Sequence, residues 1–120
     1  MKRISLLGSL ASAAVLAGGI TLLVAAPAAE EKTLTGEIVD LMCYMENGAK
    51  GDGHKTCAEK CIKGGGPVGL LSGDQLYLVM GDHKPLNDEL AAQASKTVTL
   101  KGKVSERSGM KMINDAKLQK

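Results

Sequence analysis

Apolar and polar positions alternate along most of the chain beyond residue 30, with a period of two that predicts strands. Leu34 and Ile38 share one face of a strand expected from Thr33 to Met45, and Val39, Leu41 and Cys43 share the other. The phase slips between Ile38 and Val39, as a β-bulge would make it slip. Val68 to Leu71 and Leu76 to Met80 read as two strands joined by the turn Ser72-Gly73-Asp74. Val98, Leu100 and Val104 alternate in a further strand. Ser108-Gly109 then turns the chain into a last strand from Met110 to Leu118.

Two stretches depart from this period. A short helix is predicted from about Gly53 to Lys63, with Asp52 as N-cap, Lys60 and Lys63 near its negative end, and Gly64-Gly65-Gly66 as its stop. A second is predicted from Asn87 to Ser95, with Asn87 as N-cap. Setting the first helix aside as an insertion leaves three strands, a helix and two strands. That order resembles the OB-fold, a five-stranded Greek-key barrel. The expected fold is therefore mainly β with two short helices: a small OB-like five-stranded barrel with a Cys/His-bearing helix inserted after the first strand.

The N-terminal segment is of another kind. Lys2 and Arg3 precede an uncharged run from Ile4 to Ala29, and Ala26-Pro27-Ala28 forms an A-x-A-like site. These are the three parts of a secretory signal peptide over residues 1–28, followed by a single OB-like domain over residues 29–120. The run is also long enough for an uncleaved membrane anchor, which needs about 20 residues. Crowded small residues and Pro27 favour cleavage, and the expected location is periplasmic or secreted.

Export alters the charge balance. The whole chain carries 15 basic and 13 acidic side chains. Losing Lys2 and Arg3 leaves 13 of each sign, so the mature domain has no basic excess for nucleic acid. Phe and Trp are absent and only Tyr44 and Tyr77 are aromatic, so the stacking platforms of nucleic-acid binders are missing too. A core of Leu, Val, Ile, Met and Ala in about 91 residues is thin, and domains of this size often add a metal or a disulfide.

Candidate chemistry is concentrated in one place. Cys43, His54, Cys57 and Cys61 lie within 19 residues, the last three as His-x2-Cys-x3-Cys. At about 100° per residue, His54, Cys57 and Cys61 share one helix face. Cys43, at the end of the first strand, would complete a Cys3His set for one metal ion. That set suits structural Zn²⁺ or the handling of Cu(I). Met42 and Met45 flank Cys43, but on a strand only one could turn toward its ion. The alternative is a disulfide with one spare thiol, making the domain a periplasmic interaction module for a protein partner. A thiol redox protein is the third reading.

The Cys-x3-Cys spacing is similar to that of Sco-type copper chaperones, over five residues only. More of the chain resembles a family of small exported bacterial proteins of uncharacterised function. That resemblance rests on Gly36-Glu37-Ile38-Val39-Asp40, Cys43-Tyr44, His54-x2-Cys57-x3-Cys61, Gly66-Pro67-Val68-Gly69-Leu70 and Tyr77-Leu78. It implies export and an OB-like domain, and no reaction.

Other features have plainer readings. Gly64-x-Gly66-x-x-Gly69 follows a helix and precedes a strand, the reverse of a dinucleotide fingerprint. His83 lies in a turn-like Gly81-Asp82-His83-Lys84-Pro85 segment. Asp40 is expected to orient His54, to cap the bulge, or to face solvent. Met110 and Met112 are expected to fill the core. No Ser/His/Asp set or carboxylate pair is present for hydrolysis, and a cysteine is the only candidate nucleophile.

Overall fold

The structure is a computed structural model that describes Leu22 and residues 28–120. The expected leader and its anchor alternative fall outside these residues, apart from Leu22 and Ala28. The chain forms β1 (Glu30–Asp40), α1 (Leu41–Asn47), α2 (Lys55–Lys63), β2 (Val68–Ser72), β3 (Gln75–Val79), α3 (Asn87–Ala91), β4 (Thr97–Arg107) and β5 (Met110–Leu118). A 3-10 turn over Asp52–His54 leads into α2.

The strands close into a barrel in the order β1-β2-β3-β5-β4. All neighbours are antiparallel except β3 and β5, which run parallel through Leu78↔Met112 and Val79↔Ile113. This is the OB-like barrel that the alternation predicts, with α2 inserted between β1 and β2 and α3 between β3 and β4. A third helix, α1, is additional.

Closure depends on β1 changing partners along its length. Its first part pairs with β4 from Glu30↔Val104 to Glu37↔Thr97. Its last part pairs with β2 from Glu37↔Leu71 to Asp40↔Val68. A Cβ on Gly36 would collide with the carbonyl of Leu71, so glycine is what lets β2 come this close at the crossing.

The expected bulge between Ile38 and Val39 does not occur, since the β1–β2 register runs unbroken through both. The phase slip has a different cause. This end of β1 is covered on both faces, so Ile38, Val39 and Asp40 are all buried. Ile38 belongs to the barrel core, whereas Val39 packs outside it, beside Gly69. The one register shift lies between Lys101 and Lys103. There Gly102 faces the carbonyl of Asn114, and Asp115 takes a left-handed φ of 52°.

Ile38, Leu70, Val79, Leu100 and Ile113 fill the barrel, and α2 and α3 close one end of it through Ala58, Ile62, Leu90 and Ala91. Burying each large side chain is worth about 1.5–3 kcal/mol. The cysteine-bearing helix is thus part of the core on one face. Met110 departs from expectation: it is exposed at the β4–β5 turn, while Met112 is half-buried.

Candidate metal centre

The strand expected from Thr33 to Met45 stops at Asp40, and Cys43 lies in a helix. Asp40 keeps an extended backbone and accepts a hydrogen bond from Met42 N on Oδ1 at 3.2 Å, which makes it the N-cap of α1. Leu41 N donates to Pro67 O at 3.0 Å, so the helix starts from a point held by the residue that leads into β2. It ends at Gly48, whose φ of 69° lets its N–H reach Tyr44 O at 2.8 Å. Met42 and Met45 therefore do not alternate on a pleat, and both are exposed on α1.

The return to α2 is short and anchored. Gly51 N donates to Glu37 Oε1 on β1, and His54 N donates to Gly51 O at 3.0 Å. Asp52 does not cap α2 but opens the 3-10 turn, and His54 occupies the N-cap position of α2 without a side-chain capping bond. Along α2, Ala58 and Ile62 face the core while Cys57 and Cys61 stay nearer solvent.

The far end of α2 is also fixed. Gly66 N donates to Cys61 O at 2.9 Å. Asn87 was expected to cap α3, but Leu86 holds that position. The Asn87 side chain instead donates to Ile62 O and Gly66 O, each at 2.7 Å.

These elements bring the four expected residues together, in an arrangement other than the expected one. Donor atoms of Cys43, His54 and Cys57 lie within 4.8 Å of one another. Donor atoms of Asp40, Cys43 and Cys61 form a second set within the same limit. Cys43 belongs to both. The four cysteine and histidine donors do not form a single cluster, because Cys61 groups with Asp40 and not with His54. Asp40 accordingly does not act as the orienting partner of His54, and it is not at the solvent face: it is 1% exposed.

The spacing explains Asp40. It is the N-cap of α1 and Cys43 is the third residue of that helix. Those are the N-cap and N3 positions, which the first turn of a helix brings close together, as in a capping box. The sequence signal was present in an Asp followed by a helix-compatible run and a closing Asn47-Gly48.

All three cysteines are free thiols. Contact with the Asp40 carboxylate, then burial, pushes the Cys43 thiol up to about 12. Burial, then Asp40, raises Cys61. The carboxylate favours the neutral thiol as a hydrogen-bond donor and repels the thiolate, and burial removes the water that would solvate the thiolate. Among the described residues, two buried side-chain atoms have no hydrogen-bond partner, Asp40 Oδ2 and His54 Nε2. Leaving such a group unpaired costs about 1–3 kcal/mol. Both residues belong to the donor sets, and a cation would satisfy either one.

The surroundings are exposed on one side. Cys57 is exposed, and Cys43, His54 and Cys61 are half-buried. A surface cavity of about 420 Å³, lined by Leu41, Met45, Leu76, Leu78 and Met110, opens along α1. His83 takes no part: its side chain is 89% exposed, with Asp82 4.0 Å away. Gly64 to Gly66 form the stop of α2 and run into β2, so the glycine string opens no helix. Comparison with protein-family models, curated proteins and solved structures finds no match to this chain.

Proposed function

We propose that this chain is an exported protein that binds a soft or borderline metal ion, Zn²⁺ or Cu(I), at the rim of an OB-like barrel. Cys43, His54 and Cys57 supply one set of donors, and Cys61 joins the cluster through an adjoining set that shares Cys43. The observation that carries the reading is the convergence of thiols and imidazole from two helices to within 4.8 Å, beside buried polar atoms without partners. Thiolate and imidazole are the donors that both ions favour. The export half of the proposal rests on the charged, apolar and small-residue pattern of residues 1–28.

The position of the donors favours a carrier over a purely structural site. None of the four cysteine and histidine donors belongs to the aliphatic core, and Cys57 is open to solvent. An ion held there ties α1 to α2 and stays within reach of a protein partner that would receive it.

The test is native mass spectrometry of protein collected from the periplasm without chelator or reductant. The expected result is a mature chain whose mass exceeds that of the metal-free chain by bound zinc or copper. Cys57→Ser should lower the bound metal, and unchanged loading would sink the proposal.

A second reading, a disulfide-stapled interaction module, is favoured by the nearness of Cys43 to both other cysteines. Each lies within 4.8 Å of it, so a small movement would allow a bridge from α1 to α2. A mass two hydrogens below the reduced, metal-free chain would select this reading.

A further inference from the structure

We infer that the cluster is built for two divalent ions of the zinc type, bridged by the Cys43 thiolate, with His54 and Cys57 completing one site and Asp40 and Cys61 the other. The inference rests on the metal-binding reading above and deepens it.

The donor atoms fall into two sets and not one. Cys43 is shared, and each set adds two donors of its own. Geometry along α2 keeps the sets apart. From His54 to Cys61 is seven residues, which at the helical rise is roughly 10 Å along the axis. Two sulfurs on one zinc can be at most about 4.6 Å apart, and about 3.8 Å in a tetrahedron. A single ion cannot serve the whole row unless the side chains converge, and His54 and Cys61 do not share a set. Within each set, distances up to 4.8 Å need less than about 1–2 Å of contraction to fit one ion.

Each set also includes one of the two residues that carry a buried polar atom without a partner, His54 (Nε2) in the first and Asp40 (Oδ2) in the second. One ion would satisfy one of them. Asp40 is the more telling case. Its Oδ1 is committed to Met42 N, and Oδ2 is left free in a residue that is 1% exposed. The Cys43 and Cys61 thiols that share its set can donate to this carboxylate only while protonated; as metal-binding thiolates they cannot, and a cation would have to take their place.

Charge gives the same count. Three thiolates and one carboxylate carry four negative charges, and neutral His54 adds none. Two Zn²⁺ ions balance them, with the three thiol protons released to solvent. One Zn²⁺ held by Cys43, His54 and Cys57 would be balanced by its two thiolates and would leave the buried Asp40 carboxylate without a counter-charge. The carboxylate in the second set is a hard donor and selects zinc over Cu(I) there. Three protein donors per ion leave a fourth position for water or for a donor from a receiving partner.

The experiment titrates the reduced, metal-free domain with Zn²⁺ alone under anaerobic conditions and reads stoichiometry by native mass spectrometry and calorimetry. Two ions per chain are expected. Asp40→Asn, which keeps a side-chain oxygen for the cap, should reduce the count to one, as should His54→Gln. Should Asp40→Asn fail to fold, Cys61→Ser probes the same set from the exposed side of α2. Cobalt substitution reads the bridge: the paramagnetic signal of the first Co²⁺ should fall as the second couples to it through the sulfur.

One zinc per chain would overturn the two-ion inference and leave the metal-binding reading standing. No zinc at all would overturn both. Two ions that survive both Asp40→Asn and Cys61→Ser would place the second ion elsewhere and overturn the assignment. Two uncoupled Co²⁺ signals would overturn the bridge.

Discussion

The side-chain amide of Asn87 donates to the carbonyl of Ile62 at 2.7 Å, which makes α3 the support for the last turn of the cysteine-bearing helix. The same nitrogen also reaches Gly66 O. Asn87→Ala would strip both carbonyls of their donor. Two such bonds, part-buried, are together worth about 1–3 kcal/mol. For a domain of this size each kcal/mol lowers Tm by about 4–8 °C. Thermal unfolding of the variant should show that fall, and a Tm within a degree of wild type would contradict the role given to Asn87.

Metal removal should loosen α1 and α2 without opening the barrel. Ala58 and Ile62 hold α2 to the core through contacts that involve no donor. After chelation, the strand signal in far-ultraviolet circular dichroism should persist, while amide exchange across residues 41–63 accelerates. Global unfolding on chelation would mean that the ions are the staple of the whole domain.

The metal-free protein should lose stability as pH rises above about 9. Cys43 is held protonated in the folded chain up to about 12, whereas its ordinary value is 9.0. Between these values the unfolded chain has released a proton that the folded chain retains. Stability is therefore fully present below about 9 and declines through the interval. Cys61 is raised as well and acts in the same direction. Urea midpoints of reduced, metal-free protein between pH 8 and pH 11 should fall, and should fall less in Cys43→Ser. Parallel profiles for the two proteins would remove Cys43 as the cause.

Gly36→Ala should damage the barrel and spare the donors. Its Cβ would meet the Leu71 carbonyl, which is part of the β1–β2 ladder and cannot swing aside as a side chain would. Overpacking of this kind costs about 1–3 kcal/mol. The variant should unfold at lower urea concentration yet bind as much zinc as wild type while folded. An unchanged midpoint would show that the strands have room to separate at the crossing.

Part of the barrel was legible because β4 has one buried face and one exposed face. Leu100 is buried while Lys101 and Lys103 are exposed, and that contrast produces the alternation seen in the sequence. The rule fails where β1 is covered on both sides. There Ile38, Val39 and Asp40 are all buried, and the broken phase imitates a bulge. It fails again at α1, where Val39, Leu41 and Cys43 happen to keep a period of two across a strand-to-helix boundary. The cap residues Asp40 and Gly48 mark that boundary, but their weight was masked by the alternation.

The cluster was legible in its membership and not in its partition. Cys43, His54, Cys57 and Cys61 are drawn together as their types and spacing suggest. Asp40 enters through the N-cap geometry of a helix the alternation concealed, and its entry separates Cys61 from His54. A polar residue with local backbone work to do is easily read as that alone. The second carboxylate oxygen, which the cap does not use, is what distinguishes the two roles.

Closure of β1 onto β4 has a consequence for how copies of this domain meet. An open sheet offers a row of bare amides and carbonyls along its outer strands, and a neighbouring chain can add a strand there. In this ring each strand has a neighbour on either side over at least part of its length. Little continuous strand edge is then left for a second copy to extend, which steers crowded copies away from strand-by-strand stacking.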